Sequence, residues 1–315
     1  MSKIGMGTWQ LGGANFQNGK PTGWGNIDKT DAVNTVRLAY SKGITFFDTA
    51  DTYGAGLSEK TLGEALQIFD RNSFKLCTKF GNIVSPDGVS QDFGSEWLHT
   101  ALEKSLQNLQ TDFVDILLLH SPPDDFDWKN YDKEPFENLI KIGKIKNYGV
   151  SSKSVFGAKK VMDANFGSWI EATYNCLDRR AEDVIFSHQN SSNYQFISRV
   201  PLASGFLNDK YLKEEPVFTN DDYRSCMNNE DKNWLLENVR NLNFLNTNTE
   251  SLTENAIKFC MSHPKVSYVI PGMRSESQVD FFSKINPHSS LPTELIEKIK
   301  TTVPDVPDRW KPKVI

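Results

Sequence analysis

At 315 residues the chain fits a single α/β barrel, and its 38% hydrophobic and 24% charged residues exclude a disordered or fibrous protein. A net charge of −5 with no long Lys/Arg run disfavours nucleic acid and anionic membranes as partners and leaves a small molecule. No apolar h-region follows the opening "MSKIGMGTWQLGG" and no run of about eighteen apolar residues occurs, so the expected compartment is the cytoplasm.

In chain order, a short strand near Ile4 is followed by "GMGTWQLGG", which lacks the GxGxxG spacing of an open dinucleotide-binding sheet and is read as strand and hairpin at a barrel floor. "KTDAVNTVRLAYSKG" carries apolar residues at Val33, Val36, Ala39 and Tyr40 and stops at Gly43, the pattern of an amphipathic helix. Strand-like runs then alternate with helical ones: 44–48, 74–79, 113–120, 146–151, 169–174, 196–202 and 266–272, with helices such as 94–109 and 252–263 between them. Near-continuous apolar strands imply burial on both faces, and eight βα alternations predict a (β/α)8 TIM barrel, one domain over 1–315 with long loops at its C-terminal face. The stretch from about 208 to 249 is too long for a plain connection and predicts a loop plus the helix "NEDKNWLLENVRNLNFL". The four scattered cysteines, Cys77, Cys176, Cys226 and Cys260, show no metal-ligand spacing and read as reduced.

In a barrel, reactive groups belong at the C-terminal strand ends. The second strand ends at Asp48 with Tyr53 in its loop, the third at Lys79 and the fourth at His120. Neighbouring strands are about 4.8 Å apart, so these side chains converge on one mouth. An ammonium lowers the proton affinity of an adjacent phenol, Asp48 can pair with that ammonium, and an imidazole can orient a substrate oxygen. Such a group can protonate a carbonyl oxygen while hydride reaches its carbon, and since side chains deliver no hydride, a nicotinamide cofactor is implied.

These residues carry a resemblance. "FFDTADTYGAGLSEKTLGEAL", "CTKFG", "DILLLHSPP", "YGVSS", "RVPLASGFLNDKY" and "VIPGMRSESQV" resemble, in order and over nearly the whole chain, the motifs of the aldo-keto reductase superfamily. The resemblance implies catalysis by Asp48, Tyr53, Lys79 and His120, with Tyr53 as acid in reduction or base in oxidation. It also implies that Ser151 meets the nicotinamide carboxamide, with Ser152 standing where members usually have Asn. Glu171 stands where many members have Gln, so its contact there changes, because a carboxylate accepts but does not donate. By the same resemblance Arg199 packs beside the nicotinamide ring, and Leu202, Ser204, Gly205, Leu207 and Lys210 wrap the pyrophosphate. Gly272, Arg274, Ser275 and Gln278 hold the adenosine end, where Arg and Ser at a helix start suit a 2'-phosphate and favour NADPH, with NADH possible. Phe282 replaces an Asn that often meets the adenine.

The expected partner is therefore a small carbonyl substrate, with sugars and nucleotide-linked sugars among the candidates. Trp24 and Trp128 are candidates to line the mouth. A nicotinamide-binding regulatory subunit resembling potassium-channel beta subunits is the alternative, set back by the intact tetrad and the short segment before the first strand. A barrel metallohydrolase lacks its ligand cluster, and no metal is expected. Both a monomer and a small homo-oligomer fit the sequence.

Overall fold

The computed structural model describes residues 2–85 and 88–310. Eight strands form one sheet in which every neighbouring pair is parallel: β1 (Met6–Gly7), β2 (Phe46–Asp48), β3 (Lys75–Phe80), β4 (Val114–His120), β5 (Ile145–Ser151), β6 (Trp169–Thr173), β7 (Gln195–Arg199) and β8 (Val266–Val269). The sheet closes on itself. Parallel bridges join Ile4 to Val269 and Gly7 to Gly272, and the Gly5 and Gly7 amides donate to the carbonyls of Val269 (2.9 Å) and Pro271 (3.0 Å).

Helices α1 (Lys29–Ser41), α2 (Leu57–Leu66), α3 (Ser95–Leu109), α4 (Glu134–Lys141), α5 (Val155–Asp163), α6 (Asn229–Asn241), α7 (Leu252–Ser262), α8 (Glu276–Ser283) and α9 (Thr293–Thr302) account for the helical runs. Five of them, α1, α5, α6, α7 and α8, begin at a side-chain cap. Asp28 caps α1 by accepting from the amides of Thr30 (2.7 Å) and Asp31 (3.1 Å), satisfying donors that the first turn leaves free. In α3, Leu98, Ala101, Leu102, Leu106 and Leu109 recur at helical spacing and are the buried face.

The strand periodicity of two sorts side chains into two layers. Phe47, Leu76, Leu117, Leu119 and Ile170 belong to the core between sheet and helices. Their neighbours Phe46, Cys77, Ile116, Leu118, Trp169 and Ile197, with Tyr268, form a separate apolar plug inside the barrel, where Phe46 and Tyr268 stack at 3.9 Å. Two residues further along the same strands stand Asp48, Lys79, His120, Glu171 and Arg199. The polar mouth is thus the layer immediately above a dry plug.

One expectation is corrected. The N-terminal hairpin, Phe16–Gln17 with Lys20–Pro21, is not at the floor: Gln17, Asn15 and Thr22 line the same cavity as Asp48 and Tyr53. The chain is already past β1 when it turns, so its hairpin lies on the C-terminal side of the strands. At the opposite rim, Asp115 near the start of β4 accepts from Arg71 (2.8 Å), Lys146 (2.9 Å) and the Leu76 amide (3.0 Å). The strand drawn to 202 ends at Arg199, because Val200 (φ 54), Ala203 (φ 46) and Ser204 (φ 58) take left-handed backbone and turn the chain away.

Candidate active site

β2 delivers Asp48, and the following turn delivers Tyr53. Gly54 has φ +59 and lies so close to the Gly12 backbone that a β-carbon would collide with the Gly12 carbonyl. Glycine is required there by both sterics and dihedral, and it fixes the distance between the Tyr53 turn and the segment after β1. Tyr53 is half-buried. Trp9 stacks beside it (centroids 6.0 Å, 26°), and His120 meets it edge-on (5.9 Å, 82°).

Lys79, fully buried, is the hub. Its ammonium donates to both Asp48 oxygens (2.6 and 2.7 Å) and to the Thr49 carbonyl (2.9 Å), lies 3.3 Å from Glu171 Oε2, and sits 5.2 Å from the Tyr53 ring centroid. Burial alone would pull Lys79 down, but Asp48 and Glu171 outweigh it and hold the ammonium well above the ordinary lysine range. Burial pushes the Tyr53 phenol up against the pull of Lys79, so the hydroxyl keeps its proton. Burial pulls the His120 imidazole well down, helped by the charges of Lys79 and Arg199, and the ring is neutral at neutral pH. Its Nδ1 lies 3.4 Å from Thr52 Oγ1. Asp48, Cys77 and Glu171 bring ligand-type atoms within 4.8 Å of one another, but the Lys79 ammonium already supplies the cation to both carboxylates.

A cavity of about 690 Å³ runs over this group. Of the residues named from the sequence it is lined by Asp48, Tyr53, His120, Trp24, Arg199, Leu202, Ser204, Gly205, Lys210, Gly272, Arg274 and Gln278, together with Phe282. Others lie behind or beside it. Ser151 donates its hydroxyl to Glu171 Oε1 (2.9 Å), Ser152 gives its carbonyl to Arg199 (2.9 Å), and Leu207 is in the core. Ser275 caps α8, while Gln278 accepts from the Arg274 amide (2.8 Å). The Arg274 guanidinium donates to the carbonyls of Trp24 and Asn26, both at 2.6 Å, and so fastens the early loop to the segment after β8.

Trp128 does not reach the cavity. It is buried against Phe126 (4.6 Å), Phe166 (5.0 Å) and Tyr131 (5.9 Å), since the loop after β4 folds its aromatics onto the α4 side of the barrel. Trp24 does line the wall, and the long segment crosses to meet it. Trp24 bridges to Asp222, the Tyr223 amide donates to the Gly23 carbonyl (2.9 Å), and Tyr223 packs on Trp9 (4.8 Å) and Trp24 (4.9 Å). Arg224 lies over the Trp24 ring at 4.5 Å, held by Asp222. Tyr223 and Arg224 lie in "TNDDYRS", part of the long segment expected to shape specificity, but their packing on Trp9 and Trp24 was not legible, because those partners are some two hundred residues away.

Asp51, beneath the Tyr53 turn, has an Oδ1 buried without a partner. Burial and the charge of Glu59 push its carboxyl up to about 8. The folded value exceeds the unfolded one, so the stability from its protonated form is full below the ordinary carboxylate range and is lost as pH rises toward about 8. Urea unfolding across that window should show stability falling with pH, and Asp51→Asn should flatten the slope. An unchanged slope in the variant would dismiss this account.

The model of the Aldo/keto reductase family matches residues 3–303. Among known proteins, the chain is 27% identical over 290 residues to aldo-keto reductase YhdN of Bacillus subtilis, covering 90% of this chain and 85% of the relative. It is 26% identical over 297 residues to L-galactose dehydrogenase of Arabidopsis thaliana, covering 89% and 82%. The holo form of aldo-keto reductase AKR11C1 from Bacillus halodurans superimposes with a TM-score of 0.78 at 27% identity, over 96% of this chain and 93% of that one.

Proposed function

This chain belongs to the aldo/keto reductase family of NAD(P)H-dependent oxidoreductases, and from that premise we propose that it reduces an aldehyde or ketone to the alcohol with NADPH, using Tyr53 as the acid. The observation that carries the reading is the arrangement around Tyr53: a protonated phenol at the cavity wall, backed by the Lys79 ammonium and edged by a neutral His120. A dihydronicotinamide held along this wall would supply the hydride. Tyr53 gives its proton to the carbonyl oxygen, and Lys79 stabilises the phenolate that remains, with Asp48 fixing the ammonium in place. His120, neutral, orients the same oxygen without competing as a charged acid.

The cavity chemistry supports the cofactor. One set of lining residues, Asp48, Tyr53 and His120, is reactive, and another brings the cations Lys210 and Arg274, which suit phosphate oxygens. Leu202, Ser204 and Gly205 pass along the same wall with left-handed backbone at Ser204 and Gly205 (φ 58 and 83), and a β-carbon on Gly205 would crowd Arg224. Arg274 spends two donors on Trp24 and Asn26, so the preference for NADPH over NADH rests on its remaining donors and on the field of the two cations. Trp9, Trp24 and Tyr223 offer stacking faces beside Tyr53, which favours a hydroxylated, sugar-like carbonyl as substrate. L-galactose dehydrogenase, one of the relatives, acts on a compound of that class by name.

Purified protein assayed with NADPH and NADH against a panel of aldehydes, ketones and aldoses tests the reading. Turnover with a hydroxyaldehyde and a lower KM for NADPH is the expected result. Binding of nicotinamide without turnover of any carbonyl would favour a regulatory nicotinamide-binding subunit, and absence of both would remove the proposal.

A further inference from the structure

We propose that Glu171 and Arg199 act as opposed charges that set the relative affinity of the pocket for oxidised and reduced nicotinamide. The proposal rests on the cofactor reading above. The two residues come from adjacent strands, β6 and β7, in the inward layer just above the apolar plug. Glu171 is fully buried; Oε1 accepts from Ser151 Oγ (2.9 Å) and lies 3.8 Å from Arg199 Nε, and Oε2 lies 3.3 Å from Lys79 Nζ. Arg199 donates to the Ser152 carbonyl (2.9 Å) and lines the cavity alongside Tyr53 and His120.

Four ionisable groups therefore meet at the mouth, the carboxyls of Asp48 and Glu171 and the cations of Lys79 and Arg199. Lys79 and Asp48 already make a close pair at 2.6 Å, so Glu171, which also lies 3.3 Å from Lys79, and Arg199 at 3.8 Å make a second, looser pair of opposite charges. That second pair is not a tight structural bridge. At 3.8 Å Arg199 Nε makes no hydrogen bond to Glu171 Oε1, and Glu171 Oε2 meets the Lys79 ammonium at 3.3 Å as an ion pair without hydrogen-bond geometry. What the pair does achieve is electrostatic. A reduced nicotinamide ring is neutral and an oxidised one is cationic, so any unit charge left in the wall discriminates between them. In a partly dry site such a charge is worth about tenfold or more in relative affinity. With both residues present the wall is balanced, and neither form of the cofactor is trapped by the field.

The two single variants should then move one ratio in opposite directions, which packing loss cannot do. Fluorescence titration of the purified full chain with NADP+ and with NADPH gives the ratio of their dissociation constants, oxidised over reduced. Glu171→Gln removes a negative charge and is expected to raise this ratio about tenfold. Arg199→Met removes a positive charge and should lower it by a similar factor, Arg199→Lys should hold it near wild type, and the double variant Glu171→Gln/Arg199→Met should return it toward wild type. Circular dichroism identifies any variant that has not folded, and the balanced double variant serves where a single one fails. If both single variants weaken NADP+ and NADPH equally, or move the ratio the same way, the opposed-charge role is overturned. If the wild type binds neither form, it is the cofactor reading that falls.

Discussion

Tyr53→Phe is expected to lower kcat by about 10²–10⁴-fold while leaving nicotinamide binding within a factor of about two, because only the proton donor is removed. The phenyl ring retains the stack on Trp9 and the edge contact with His120, so the wall keeps its shape. The Tyr53 ring lies 5.2 Å from the Lys79 ammonium, and burial keeps its hydroxyl protonated at neutral pH. Steady-state kinetics with the best carbonyl from the panel, paired with cofactor titration, checks both halves. A variant that turns over at the wild-type rate would mean the proton comes from His120 or water. Equal loss of turnover and of cofactor affinity would mean Tyr53 acts only as a packing residue.

Lys79→Met has the second large effect, and it is expected on stability as well as on rate. The methionine matches the buried stem but leaves Asp48 without its cation and Glu171 with only Arg199 at 3.8 Å, in a site where Lys79 has no solvent exposure. Removing one member of a buried ionic group costs about 3–5 kcal/mol, since the remaining charges stay desolvated. The loss should deepen with rising pH. Burial and the charge of Glu171 already push Asp48 up in the native protein, and without Lys79 nothing opposes them. A carboxyl whose folded value is raised contributes stability in acid and forfeits it as pH increases through that value. Urea unfolding of wild type and variant in acid and in mild alkali measures this. A variant as stable as wild type across that range would show that the ionic group contributes nothing to the fold.

Much of the site was readable because strand periodicity is strict. In "FFD", "LCTKF" and "LLLH" the last inward residue follows an inward apolar one by two places, so a reader who finds the barrel also finds which polar groups share its mouth. The alternation of apolar runs with 3.6-residue patterns likewise sufficed for eight strands and the helices between them. What could not be read depends on contacts between distant segments. Trp24 and Trp128 were both candidates for the mouth, Trp24 favoured only by the resemblance of "GKPTGWGN", and what separates them is contact: Trp128 is absorbed by Phe166 and Tyr131, while Trp24 is met by Tyr223 and Arg224. The side of the barrel on which the first hairpin lies is settled by the bridge from Trp24 to Asp222, invisible to any local pattern. Arg274 was legible as a cation near a helix start, but its grip on Trp24 and Asn26 carbonyls was not.

The seam between β1 and β8 has a consequence for how the chain is made. Met6–Gly7 leaves the ribosome before the other strands of the sheet and Val266–Val269 after them, yet these two close the ring through bridges at Ile4 and Gly7. Throughout synthesis of the intervening segments, β1 and then each new strand in turn present open hydrogen-bonding edges. The interior plug is incomplete for the same period, since Phe46 finds its stacking partner only when Tyr268 arrives. The layer on which the reactive groups stand is therefore finished by the last strand of the sheet to be made, and a nascent chain has no assembled mouth until its barrel shuts.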